Sequence, residues 1–216
     1  MMKRIGHLHV LTDETVQSRF THVELAEMAI AGGADTIQFR EKNRSTGELI
    51  AIAESLRRTC RARNVPLIIN DRVDIALAVD ADGVHLGQRD LPVPVAREIL
   101  GPTKIIGGTA ATLDEAIAAE REGADYLGFG HIYPTASKQK RGAPKGPEAL
   151  AEVCRALSIP VIAIGGIDRE NFLPVLDAGV WGIAVIAAVC AAANPTLAAR
   201  ELKNGIDSKF KERSES

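Results

Sequence analysis

The chain has 216 residues, 46% of them apolar and 25% charged, with a formal net charge of -2. That length suits one substantial core, and the composition is that of a soluble globular protein, not of a disordered or membrane-spanning chain. The near-neutral balance speaks against nucleic acid as a partner, and three widely spaced cysteines (Cys60, Cys154 and Cys190) fit neither a disulfide framework nor a local zinc pattern. The expectation is a cytoplasmic protein with reduced, structural cysteines and no membrane partner.

Aromatic residues are only 4% of the chain, so Ala, Ile, Leu and Val must carry the packing, as they do in parallel strands buried under helices. Short β-rich runs alternate with amphipathic stretches of helical length. The first strand is expected over 6–13 and the first helix over 22–33, ended by Gly32 and Gly33. TIQFREK (36–42) follows, then a helix over 46–63 with Ser45 as its cap and Glu48 three residues on. The third strand is VPLIIND (65–71), followed by a short helix over 73–79, and the fourth is GVHLG (83–87). Pro92 and Pro94 open a helix that runs to Leu100. TKIIGGT (103–109) is the fifth strand, and its helix starts after Thr112 with Glu115 at the capping-box position. The sixth, seventh and eighth strands are DYLGFGHI (125–132), IPVIAIGG (159–166) and WGIAVIAAV (181–189), and a last helix covers 195–202.

Eight such units in this length predict a closed (β/α)8 TIM barrel, an α/β fold. The expected organisation is one domain over 1–216, with a polar C-terminal tail from about residue 204 that is frayed or a helix end. Near-repeats such as AGGADTIQF and REGADYLGF, each a helix end, a turn glycine and a strand start, support the unit.

In a barrel, functional residues collect at the C-terminal ends of the strands. There the sequence offers His9 or Asp13, Gln38, Arg40, Lys42, Asn70, Asp71, His85, Gln88, Asp90, Thr109, His131, Thr135, Ser137 and Lys138. QFREK places Gln38, Arg40 and Lys42 on one side of an extended strand, where the cations either grip phosphate or pair with Glu41 or Asp71. Asp71 and Asp90 follow adjacent strands and either share a magnesium ion or cap their helices. His85 reads more readily as a packed, hydrogen-bonded histidine than as a catalyst. Gly165 and Gly166 either let the backbone approach phosphate or make a tight turn. Along strand six, Gly128 and Gly130 suggest room for a planar ligand, and His131 reaches the rim with a titration suited to proton transfer. Thr135, Ser137 and Lys138 open a long loop that either binds phosphate and folds over the site or is a solvated basic loop.

With QFREK, NDR, GVHLGQRD, YPTASK and VIAIGG together, the chain resembles the thiamine-phosphate synthase family, including its thiazole tautomerase branch, over essentially its whole length. The resemblance implies a transferase that couples 4-amino-2-methyl-5-hydroxymethylpyrimidine diphosphate to 4-methyl-5-(2-hydroxyethyl)thiazole phosphate, or its carboxylated form, and releases pyrophosphate. It implies Arg40, Lys42 and Asn70 on the diphosphate, with Mg2+ on Asp71 and Asp90. Gln38 would frame the pyrimidine, and Lys138 would steady the departing pyrophosphate. Thr135 and Ser137 would lie at the thiazole-side phosphate, with Gly165 and the backbone around Ile186 nearby. A homodimer is compatible with the family.

Four positions depart from the family pattern. Thr109 replaces a serine, Ala111 a histidine, Ala187 a phosphate-binding serine, and His131 a proline. His131 resembles the tautomerase branch, in which such a histidine moves a proton to aromatise a carboxythiazole phosphate without Mg2+. Ala111 and Ala187 also leave open a binding or regulatory protein that has lost catalysis. Lys42, Asn70, Asp71, Asp90 and Lys138 favour the synthase.

Overall fold

The computed structural model describes residues 5–135 and 142–215. Eight strands lie parallel and in chain order around a closed barrel. They are β1 (Leu8–Thr12), β2 (Thr36–Phe39), β3 (Leu67–Asn70), β4 (Gly83–Leu86), β5 (Ile105–Ala110), β6 (Tyr126–Gly130), β7 (Val161–Ile164) and β8 (Gly182–Val185). Pairing of His9 with Ala184 and of Val10 with Val185 closes β1 onto β8. Among the described residues the helices are α1 (His22–Ala31), α2 (Thr46–Ala62), α3 (Val73–Ala78), α4 (Val93–Leu100), α5 (Leu113–Arg121), α6 (Gly146–Ala156), α7 (Phe172–Asp177), α8 (Ala187–Cys190) and α9 (Pro195–Glu215).

The period of two along each strand produces two cores. Outward residues such as Val10, Ile37, Ile69, Val84 and Leu127 lie under the helices. Inward residues including Leu11, Ile68, Ile105, Tyr126 and Ile162 fill the barrel. Helix starts follow the capping logic of the sequence. Thr21 with Glu24 and Ser45 with Glu48 form complete capping boxes on α1 and α2. The Thr112 hydroxyl accepts the Glu115 N–H at the start of α5.

Three expectations change. The eighth strand stops at Val185, and residues 187–190 form the short α8, because Val189 and Cys190 donate back to the Ile186 carbonyl. The last helix does not end near Leu202 but runs to Glu215. Ile206 is fully buried, and the Phe210 ring lies 4.6 Å from that of His7, so apolar residues at helical spacing continue through the polar tail. The room expected beside Gly128 is occupied. A Cβ there would sit 2.9 Å from His85 Cε1, and one at Gly130 would strike the Ile164 carbonyl.

The cysteines are free, with Cys60 and Cys190 buried. Burial pushes both thiols up to about 12 and Cys154 to about 11, well away from reactive thiolates. Among the described residues no helix is long and apolar enough to cross a membrane.

Candidate active site

The C-terminal strand ends bring most of the expected polar residues to one mouth. Arg40 follows β2 and pairs with Asp13, which follows β1. Its side chain is mostly buried, and the buried Nε has no hydrogen-bond partner. Lys42 Nζ lies 3.1 Å from Asp71 Oδ2, after β3. Thus each cation of QFREK has an anionic partner, and for Arg40 the partner is Asp13, not Glu41 or Asp71.

Asp71 and Asp90 meet in a hydrogen bond between their carboxyls. Burial raises Asp71, but hydrogen bonds from Asp90 and Lys42 outweigh it and hold Asp71 below its ordinary value. Burial also raises Asp90. Its Oδ2 accepts the Gly87 N–H at 2.7 Å, which opposes that shift, while the Asp71 charge reinforces it. The two carboxyls thus push each other's proton affinities apart, Asp71 down and Asp90 up. Asp71 has a left-handed backbone, φ 65°, and its N–H donates to the His85 carbonyl at 2.8 Å. Asn70 precedes it and is buried.

Behind the rim, a hydrogen-bond chain crosses the barrel. Gln38 hydrogen-bonds the Tyr126 hydroxyl, while its own Oε1 has no hydrogen-bond partner. The amide is thus the donor to Tyr126. The Tyr126 hydroxyl then donates to His85 Nδ1, 3.0 Å away. That leaves His85 Nε2–H to donate to Thr109 Oγ1 at 2.8 Å. Gln88 closes the far side by donating to the Thr109 carbonyl at 2.5 Å. His85 is therefore a packed, hydrogen-bonded histidine, and its ring sets which way the Thr109 hydroxyl points.

His131 is buried just beyond β6. Gly165, at φ 103°, lies so close that a Cβ would fall 2.4 Å from His131 Cβ, and one at Gly166 would strike the Pro134 carbonyl. The two glycines seat the end of strand six, where these close approaches leave no room for a side chain. Thr135 is half-buried at the edge of the described chain, and Ser137 and Lys138 lie outside the described residues. Ile186 is buried and Ala187 exposed at the head of α8.

A second cluster lies beside Arg40. Glu14, His22 and Glu41 place one donor atom each within 4.8 Å of one another, and together they could hold a metal ion. Burial holds His22 below its usual proton affinity, against the pull of Glu14 and Glu41.

Comparison with known proteins fixes the lineage of this mouth. Residues 8–189 match the family model described as thiamine monophosphate synthase. The chain is 50% identical to the thiamine-phosphate synthase of Salinibacter ruber over 97% of its own length and 92% of the relative's. It is 54% identical to that of Chlorobium luteolum over 90% of each chain. The chain belongs to the thiamine monophosphate synthase family. A solved thiamine phosphate pyrophosphorylase from Pyrococcus furiosus superposes with a TM-score of 0.87 at 43% identity, over 94% of this chain and 96% of that one. Membership makes the chain an enzyme of transferase type.

Tyr126, Asp13 as partner of Arg40, and the Glu14–His22–Glu41 cluster carry structure here that sequence reasoning did not assign. A tyrosine two residues before Gly128 on the inward side of strand six was the available signal for Tyr126. His22 reads from sequence only as a helix start.

Proposed function

We propose that this member of the thiamine monophosphate synthase family couples 4-amino-2-methyl-5-hydroxymethylpyrimidine diphosphate to 4-methyl-5-(2-hydroxyethyl)thiazole phosphate, or its carboxylated form. The bond from the pyrimidine methylene carbon to the diphosphate oxygen breaks, and its electron pair leaves with pyrophosphate. The thiazole nitrogen supplies the pair for the new C–N bond to that carbon, giving thiamine phosphate; from the carboxylated thiazole, CO2 leaves as well.

The observation that carries this reading is the row of Arg40, Lys42, Asn70, Asp71 and Asp90 along adjacent strand ends. Arg40 Nε is a buried donor without a hydrogen-bond partner, as expected of a group waiting for an anion. Arg40, Lys42 and Asn70 bind the diphosphate and stabilise charge that grows on it as the bond breaks. Gln38 and Thr109 face the pyrimidine, each fixed by the chain through Tyr126 and His85. Lys138 steadies the leaving pyrophosphate. Thr135, Ser137, Gly165 and the backbone at Ile186 and Ala187 receive the thiazole phosphate.

Asp71 and Asp90 fit Mg2+, because two neighbouring carboxyls at the mouth, one raised by the charge of the other, offer hard oxygen donors to a cation. Bound there, Mg2+ neutralises charge on the diphosphate. Both substrates are small molecules, and the reading needs neither nucleic acid nor a membrane.

The buried position of His131 at the same mouth motivates the competing reading, a tautomerase in which His131 moves the proton. One paired assay separates the two. Pyrophosphate release that requires Mg2+ and both substrates supports the synthase. Absence of coupled product, with rapid aromatisation of carboxythiazole phosphate that is lost in His131→Ala, overturns it. Tight binding of thiamine phosphate with neither turnover would instead make the chain a regulator.

A further inference from the structure

Glu14, His22 and Glu41 come from three pieces of chain: the segment after β1, the first residue of α1, and the segment after β2. His22 Nε2 lies 3.8 Å from Glu14 Oε1 and 3.5 Å from Glu41 Oε2. His22 is only 1% exposed, and this nitrogen makes no hydrogen bond of good geometry, its nearest acceptor being Glu41 Oε2. The ring cannot easily turn away. Its Nδ1 meets Thr12 Oγ1 at 2.9 Å, and its edge packs on Phe39 at 4.8 Å and 88°.

The outer carboxylate oxygens are already held. Glu14 Oε2 accepts from Arg44 at 2.6 Å, and Glu41 Oε1 accepts the backbone N–H groups of Lys42 and Asn43 at 2.6 and 2.7 Å. Glu14 Oε1 also accepts the His22 N–H at 2.9 Å. The inner oxygens face an imidazole nitrogen at distances too long for a good hydrogen bond. They are close to the separation of two donors on one small ion, roughly 3.4 Å for tetrahedral ligands at about 2.1 Å. Arg44 Nε, 3.6 Å from Glu41 Oε2, approaches from the half-exposed side and can withdraw while its Nη2 stays on Glu14.

We propose that Glu14, His22 and Glu41 form a binding site for a divalent transition-metal ion of the zinc class, separate from the Asp71–Asp90 pair. An imidazole with two carboxylates suits Zn2+, Co2+ or Mn2+ better than Mg2+, which favours oxygen ligands and retained water. The ion ties the β1 and β2 segments to the start of α1. It therefore stiffens the wall that carries Arg40 and Lys42 and leaves a coordination position for water.

The test uses the whole chain, stripped with chelator, and titrates Zn2+ by calorimetry and Co2+ by visible absorption, each alone and in excess Mg2+. One ion per chain is expected, with binding insensitive to Mg2+ and a raised Tm. His22→Gln should weaken it at least 100-fold and the half-exposed Glu14→Gln at least tenfold, while Asp71→Asn/Asp90→Asn leaves it intact. Circular dichroism confirms that each variant is folded, and Glu14→Gln serves if His22→Gln is not. No saturable binding, binding unchanged in the Glu14 variant, or binding lost in the Asp71/Asp90 variant would overturn the proposal.

Discussion

Tyr126→Phe removes one oxygen from the middle of the barrel and leaves the ring packing in place. Tyr126 is 2% exposed and its hydroxyl joins Gln38 to His85. Without it the Gln38 amide and His85 Nδ1 both lose a buried partner. Each such group costs about 1–3 kcal/mol, so the variant should lose about 2–6 kcal/mol of stability. For a chain of this length that is a fall in Tm of roughly 4–24 °C. Urea denaturation should show a lower midpoint at unchanged slope. With the His85 tautomer no longer set, the Thr109 hydroxyl loses its fixed direction, and kcat/KM should fall about tenfold, the value of one hydrogen bond of ~1.4 kcal/mol. Wild-type stability and wild-type kcat/KM in the phenylalanine variant would refute the reasoning, because the hydroxyl would then hold nothing in place.

His9 gives a pH signature. Burial lowers its pKa from 6.5 to about 4, with Nε2 held at 3.0 Å on the Gly6 carbonyl. The unfolded chain takes up this proton first, so stability should fall as pH drops from about 6.5 towards 4, by about 3 kcal/mol in total. His9→Gln should flatten this part of a stability–pH curve measured by urea melts. Gly165→Ala adds a Cβ 2.4 Å from His131 Cβ at a left-handed position, and it should cost more than about 2 kcal/mol and disturb the mouth. An unchanged Tm would show that strand six does not rest on this glycine. Ending the chain at residue 204 removes the fully buried Ile206 and the Phe210–His7 contact. That truncation should lower stability by at least the ~2–4 kcal/mol of a large-to-small core change, whereas a frayed tail could be cut without effect.

The barrel was legible because each strand and helix carries its own local instruction. VPLIIND and GVHLG alternate outward Leu67, Ile69 and Val84 with inward Ile68 and His85, and Ser45–Glu48 announces α2 three residues ahead. That Arg40, Lys42, Asn70 and Asp71 share one mouth was legible for the same reason, since a residue at or just beyond the end of a barrel strand reaches the mouth whatever its partners. What sequence could not give was which groups meet. Arg40 pairs with Asp13 from 27 residues away, and His85 fills the space at Gly128 from 43 away, across strands whose stagger only the closed barrel sets. The final helix was cut short because polar residues in KFKERSES hid Phe210, which continues the spacing of Leu202 and Ile206.

The claim that Asp71 and Asp90 hold Mg2+ against a diphosphate beside Arg40 and Lys42 has a direct measurement. Pyrophosphate release is followed with both substrates while Mg2+ is titrated into chelator-treated protein, for the wild type, Asp71→Asn, Asp90→Asn and Arg40→Gln. The account predicts saturable Mg2+ dependence in the wild type, a loss of at least 100-fold in kcat for both aspartate variants, and a large fall in kcat/KM for Arg40→Gln. Release that proceeds without Mg2+, or that survives in the aspartate variants, would contradict it.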